Sequence, residues 1–160
     1  MIQAAREDNI RAYIETEAQR IDTSVAATNI RFLAKFINDL DGAVFYGYPT
    51  TYTINDRYTL MSWTYNTSPD VYGGRINLKP AGYYKYEIYE VSWQGGVDVA
   101  SGNAPATETD VLTPPAATKG VVKGLVAIGK LYLAEKSGSE EVQYTEYDQP
   151  ASTNYIYYGQ

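Results

Sequence analysis

Carboxylates are the acid–base side chains on offer in this chain, because it contains no histidine and no cysteine. Ser-His-Asp and Cys-His catalysis are therefore excluded, as are disulfides, thiolate metal sites and the common zinc sites. What remains is chemistry between two carboxyl groups held at a set separation in a cleft. Two pairs are close in sequence: Glu87 with Glu90, near Tyr83, and Glu140 with Glu141, after a Ser-Gly-Ser turn. Glu87 and Glu90 point to opposite faces of one strand, and exposed carboxylates are the norm, so both pairs are expected on solvated faces. Asn38-Asp39-Leu40-Asp41-Gly42 opens like a calcium loop. It lacks the distal glutamate of that motif and its flanks read as strands, so a hairpin turn is the simpler explanation. Gly95-Gly96 runs into a loop, which leaves no helix N-terminus to hold a phosphate. No enzyme activity, metal or cofactor is expected.

The other chemistry is aromatic. Seventeen residues are tyrosine and two are tryptophan. Tyr52, Trp63, Trp93, Tyr155, Tyr157 and Tyr158 would suit a sugar-stacking platform, as in a carbohydrate-binding or adhesion module. They would equally suit the core and interfaces of an assembly, where Tyr and Trp are enriched. The tyrosines run through nearly every strand and do not cluster in one loop set, which favours assembly. Tyr147, Tyr155, Tyr157, Tyr158 and Trp93 are the candidate partner contacts. The first four lie on a terminal segment too small to bury them alone.

The elements that must position these residues read as short strands. Ile10 to Thr16 alternates with period two, although Ile10, Ile14, Ala18 and Ile21 also approach helical spacing; a strand over 10–16 is preferred for consistency with the strand-like remainder of the chain. In 30–37, Ile30, Phe32, Ala34 and Phe36 share one face. Asp41-Gly42 then turns the chain into a strand over 43–48. Further strands are expected at 58–65, with Thr59, Met61, Trp63 and Tyr65 on one side, and at 75–78. In 83–91 the core side should be Tyr84, Tyr86 and Ile88, because burying unpaired Lys85 and Glu87 would cost several kcal/mol. Residues 121–135 are apolar on both faces. They read as a central, well-buried strand with a bulge at a glycine. Strands at 142–147 and 155–158 finish the chain, within or beside an extended C-terminal arm over 148–160. Loop 95–119 is rich in Gly, Ala, Thr and Pro. A loop of that length is expected to be mobile or ordered by a neighbouring subunit.

The pattern is that of an all-β chain, an antiparallel sandwich of about eight strands. At 160 residues it fits a single domain over 1–160, large enough to fold without staples. The net charge of −6 and the lack of any basic run argue against nucleic acid. Met1 to Ile10 holds no apolar core of a signal peptide, and no apolar run is long enough to span a bilayer.

Three stretches resemble small β-rich virion proteins of tailed bacteriophages: Lys79-Pro-Ala-Gly-Tyr-Tyr-Lys-Tyr-Glu-Ile-Tyr-Glu90, Asn29 to Gly42, and Gly124-Leu-Val-Ala-Ile-Gly-Lys-Leu-Tyr-Leu133. In that family a similar aromatic strand precedes a Gly/Thr/Pro loop, with a glycine-spaced strand and a short tail after it. The resemblance covers most of the chain, from about 10 to 158. The turn at Gly82–Tyr84 is also similar to the tyrosine corner of Ig-like sandwiches, which makes Tyr84 the corner residue. The resemblance implies an Ig-like β-sandwich with a structural role in the virion, as capsid decoration, minor capsid or neck protein. It would assemble in the host bacterial cytoplasm against major capsid or neck and portal-associated proteins, and against itself. Loop 95–119 and arm 148–160 would reach across subunits.

Overall fold

The computed structural model describes residues 1–55 and 57–136, and almost every regular element in it is a strand. Nine strands are present among the described residues: β1 (Ile2–Ala5), β2 (Ile10–Ile14), β3 (Ile30–Asn38), β4 (Val44–Gly47), β5 (Thr51–Ile54), β6 (Thr59–Tyr65), β7 (Arg75–Ile76), β8 (Gly82–Ser92) and β9 (Val121–Ala134). They form a large sheet ordered β1-β9-β8-β3-β4 and a small sheet ordered β2-β6-β5, with β7 also on β6. The sheets are mixed, which corrects the antiparallel expectation: β1 runs parallel to β9, and β7 parallel to β6. The reason is a switch near the start of the chain. β1 flanks the last described strand, and the turn at Arg6–Asn9 then carries the chain to the other sheet. Neither β1 nor β5 is among the expected strands. The expected strands at 142–147 and 155–158 lie outside the described residues.

The two sheets face each other across one core. Ile30, Phe32, Ala34 and Phe36 of β3, with Tyr84 and Ile88 of β8, meet Ile10, Ala12 and Ile14 of β2 and Met61 and Trp63 of β6. These are the faces that alternation assigns, because successive side chains on a strand point opposite ways. Phe36 and Trp63 pack edge to face, with ring centroids 5.3 Å apart, a geometry that aromatic quadrupoles favour. The Trp63 indole N–H donates to the Gly47 carbonyl at 3.0 Å, so its polar end is satisfied in the core. Gly129 of β9 leaves room for Tyr86, since a Cβ there would lie 2.4 Å from the phenol oxygen.

The Asn38–Gly42 segment is a turn, as expected. The Asn38 side-chain oxygen accepts from the Leu40 N–H at 2.7 Å, and Gly42 takes φ +72°. Tyr84 Oη donates to the Pro80 carbonyl four residues upstream at 2.5 Å, tying the start of β8 to the turn before it.

Two expectations fail for β9 and for the loop before it. β9 is not buried on both faces. Its register against β8 shifts twice, once between Ile88 and Tyr89 and once between Glu90 and Val91, the second beside Gly124 (φ +151°). A bulge inserts one unpaired residue and reverses the facing of the residues beyond it. Val126 therefore joins Leu131 and Leu133 in the core, while Leu125, Ile128 and Tyr132 face outward. Loop 95–119, in turn, is ordered by its own chain. Ala104 is buried, Gly95 N–H donates to Ala117 O, Gly120 N–H donates to Asn103 O, and Tyr48 Oη donates to Pro105 O at 2.8 Å.

Candidate interaction surface on the large sheet

The outer face of the large sheet is divided in two. On the β3–β4 side, Leu33, Tyr48, Val91, Trp93 and Ala104 form a second core, with Val97, Val99 and Tyr89 packed against it. Loop 95–119 supplies the lid. Trp93 is fully buried beneath it, with its indole N–H donating to Asn103 O at 3.2 Å. As a candidate partner contact, Trp93 is thus corrected: it holds the loop to the sheet and offers nothing to a neighbour.

The border of the lid is polar. Lys35 on β3 donates to Glu108 of the loop and lies 3.8 Å from Glu87 on β8. Tyr46 Oη donates to Glu108 at 2.5 Å, and Tyr89 Oη donates to Glu87 at 2.7 Å. Lys85 closes the other side of Glu87 at 2.6 Å. This corrects the solvated reading of Glu87, which is buried and paired. The bond from Lys85, with that from Tyr89, holds the Glu87 carboxyl below its usual range against the effect of burial. Burial pushes the Glu108 carboxyl up, but the bonds from Lys35 and Tyr46 more than offset it and the net direction is down. The phenols respond oppositely: burial first, then the adjacent carboxylate, pushes Tyr46 and Tyr89 far above the usual range.

Glu90 is buried as well, on the inner face with its neighbour Phe32. It accepts the backbone N–H groups of Ile21 and Asp22 at 2.9 and 2.7 Å, so it anchors the segment before β3. Beside it, Asp22 accepts from Ser24 and Ser92, whose hydrogen bonds, helped by Lys123, hold its carboxyl far below the usual range. Glu87 and Glu90 thus do opposite structural jobs on opposite faces, as their spacing implies. Glu140 and Glu141 lie outside the described residues.

The β9 side of the same face is bare. Tyr83, Leu125, Ile128 and Tyr132 are 55%, 45%, 57% and 37% exposed. The register pairs Tyr83 with Tyr132, Lys85 with Lys130, Glu87 with Ile128 and Tyr89 with Leu125. The Tyr83 and Tyr132 rings touch, with centroids 4.9 Å apart, and Lys130 reaches Asp39. The result is an apolar ledge interrupted by lysines. A contiguous exposed apolar patch with a polar rim marks a contact surface. β9 is also short of a neighbour. Four-residue β1 pairs only Leu131–Ala134, and among the described residues no strand pairs the same edge over Val121–Lys130.

Of the sugar-stacking set, Trp63 and Trp93 are buried, and Tyr52 is half-buried against Phe32 with Arg31 over its ring. Tyr147, Tyr155, Tyr157 and Tyr158 lie outside the described residues. Leu125, Ile128, Tyr132 and Tyr83 are the surface residues that sequence reasoning missed. Lys130, midway between Ile128 and Tyr132 in alternation, was the signal that this face meets water. Two open grooves of about 410 Å³ lie elsewhere: one beside Tyr58 and Arg57, the other on the small sheet between Arg11, Thr50 and Ser62. Among the described residues, no cluster of acidic side chains could hold a metal ion, and no helix is long and apolar enough to cross a membrane. No family model, curated protein or solved structure matches the chain.

Proposed function

We propose that this protein is a non-enzymatic structural component of a tailed-phage virion, assembling by protein–protein contacts on the capsid or at the head–tail neck. The observation that carries the reading is the bare ledge of Tyr83, Leu125, Ile128 and Tyr132, beside an open strand edge. Such a surface costs solubility unless a partner covers it. The three stretches that resemble virion proteins also converge: they are β3, β8 and β9, adjacent in the large sheet.

The finer fold in this proposal is an Ig-like sandwich. Three features support it: a first strand parallel to the last described one, the succession β9-β8-β3-β4 across one sheet, and the Tyr84–Pro80 bond at the start of β8. In Ig-like domains the corner tyrosine occupies that place. A glycan-binding reading has no comparable support, because both indoles it relies on are buried.

The test is particle incorporation. Deleting residues 148–160 should abolish recovery of the protein in purified particles while leaving its circular dichroism and melting unchanged. Full incorporation of the shortened chain would overturn the proposed role of the arm, and absence of the intact chain from particles would overturn the virion reading itself.

A further inference from the structure

The ledge and the open edge belong to one strand, and together they specify an occupant. A strand edge presents a row of N–H and C=O groups that a further strand can pair. β9 offers such a row over Val121–Lys130. A strand laid there would send alternate side chains onto the outer face, next to Leu125 and Ile128. This is strand addition, in which the backbone gives affinity and side-chain contacts give selectivity.

The sequence beyond Lys136 has matching chemistry. It is 24 residues long (160 − 136), with Glu140, Glu141, Glu146 and Asp148 and no lysine or arginine. Those four acids account for four of the six net negative charges of the chain, and on the outer face Lys85 and Lys130 stand side by side at the ledge, each also paired with an acid of its own chain. Val142-Gln-Tyr-Thr-Glu-Tyr147 alternates Val142, Tyr144 and Glu146 with Gln143, Thr145 and Tyr147. One alternate set brings apolar groups and a carboxylate to a ledge of apolar groups and lysines.

The same chain is poorly placed to supply this strand. A hairpin return from β9 would pair first with Leu131–Ala134, and β1 already holds that part of the edge. A second copy meets no such obstacle. We propose that residues 142–147 of one copy add as a strand to the β9 edge of another, over Val121–Lys130, with side chains seated on Leu125 and Ile128. This deepens the assembly reading by naming donor and acceptor, and it rests on that reading only for its setting in a particle.

The lack of native cysteine allows a direct test with full-length chains. Copies carrying Ile128→Cys are mixed with copies carrying Val142→Cys or Tyr144→Cys and oxidised. The proposal expects a disulfide-linked dimer of the two variants, and it expects Ile128→Glu to weaken self-association roughly tenfold or more at unchanged melting temperature. A cross-link formed only within one chain, in the Ile128→Cys/Tyr144→Cys double variant, would overturn it. So would a wild-type chain that stays monomeric by light scattering at every concentration. Deleting 148–160 leaves residues 142–147 in place, so failure here and failure to enter particles are separate outcomes.

Discussion

One sheet face is finished in two ways. On the β3–β4 side, Leu33 and Val91 lie under a lid made of Trp93 and loop 95–119, and their exposure is nil. On the β9 side, Leu125 and Ile128 occupy equivalent outward positions and are about half exposed. The residue types hardly differ. What differs is whether a connecting segment returns over them. The 28 residues between Ser92 and Val121 fold back over β8, β3 and β4, whereas among the described residues the edge of β9 away from β8 meets only the four residues of β1. The contrast teaches that an apolar outward row is not evidence of an interface until its cover has been traced.

Removing the lid's anchor should have the largest effect. Trp93→Ala empties the second core and removes one of the two donors to Asn103 O, so it should cost about 3–5 kcal/mol, read from urea unfolding. Limited proteolysis should then cut within 95–119, where the intact protein is expected to resist. An unchanged unfolding midpoint would mean that the lid is not coupled to the sheet.

A smaller effect is expected at the polar border. Glu108→Gln keeps the shape but removes the charge that Lys35 and Tyr46 share, for a loss of about 1–2 kcal/mol. The acid side gives the sign. Glu87 and Glu108 have folded-state values below the ordinary 4.5, so their stabilisation is full above that value and is lost as pH falls through the folded values. Urea midpoints of the wild type should therefore drop as the pH falls below the ordinary carboxylate value, and Glu108→Gln should show less of that drop.

The least change is expected on the bare side. Ile128→Ser should alter stability by no more than about 0.5 kcal/mol, because the side chain already meets water. A loss as large as that of Trp93→Ala would break the comparison, since it would show that Ile128 is covered within its own chain.

Much of the inner architecture was legible in advance. The inward rows of β3, β6 and β8 come directly from alternation, and the role of Tyr84 from its place after a turn. The outward rows were harder. Trp93 is as aromatic as any interface residue, and nothing local marks it as the pin of a lid. In β9, apolar residues on both faces read as a strand buried on both, whereas only the row with Val126, Leu131 and Leu133 is covered. Glu87 and Glu90 were assigned their opposite faces correctly, yet their burial depends on Lys35, Glu108 and the backbone of Ile21 and Asp22, all distant in the chain.

By itself, then, the sequence determined the β class, the inward faces of β2, β3, β6 and β8, the turn at Asn38–Gly42 and the absence of histidine and cysteine chemistry. Side-chain direction along a strand is local, so neighbouring residues suffice to read it. Only the tertiary structure decided which apolar rows are covered, because cover is supplied by segments remote in sequence. Trp93 went inside and Ile128 stayed outside for that reason alone.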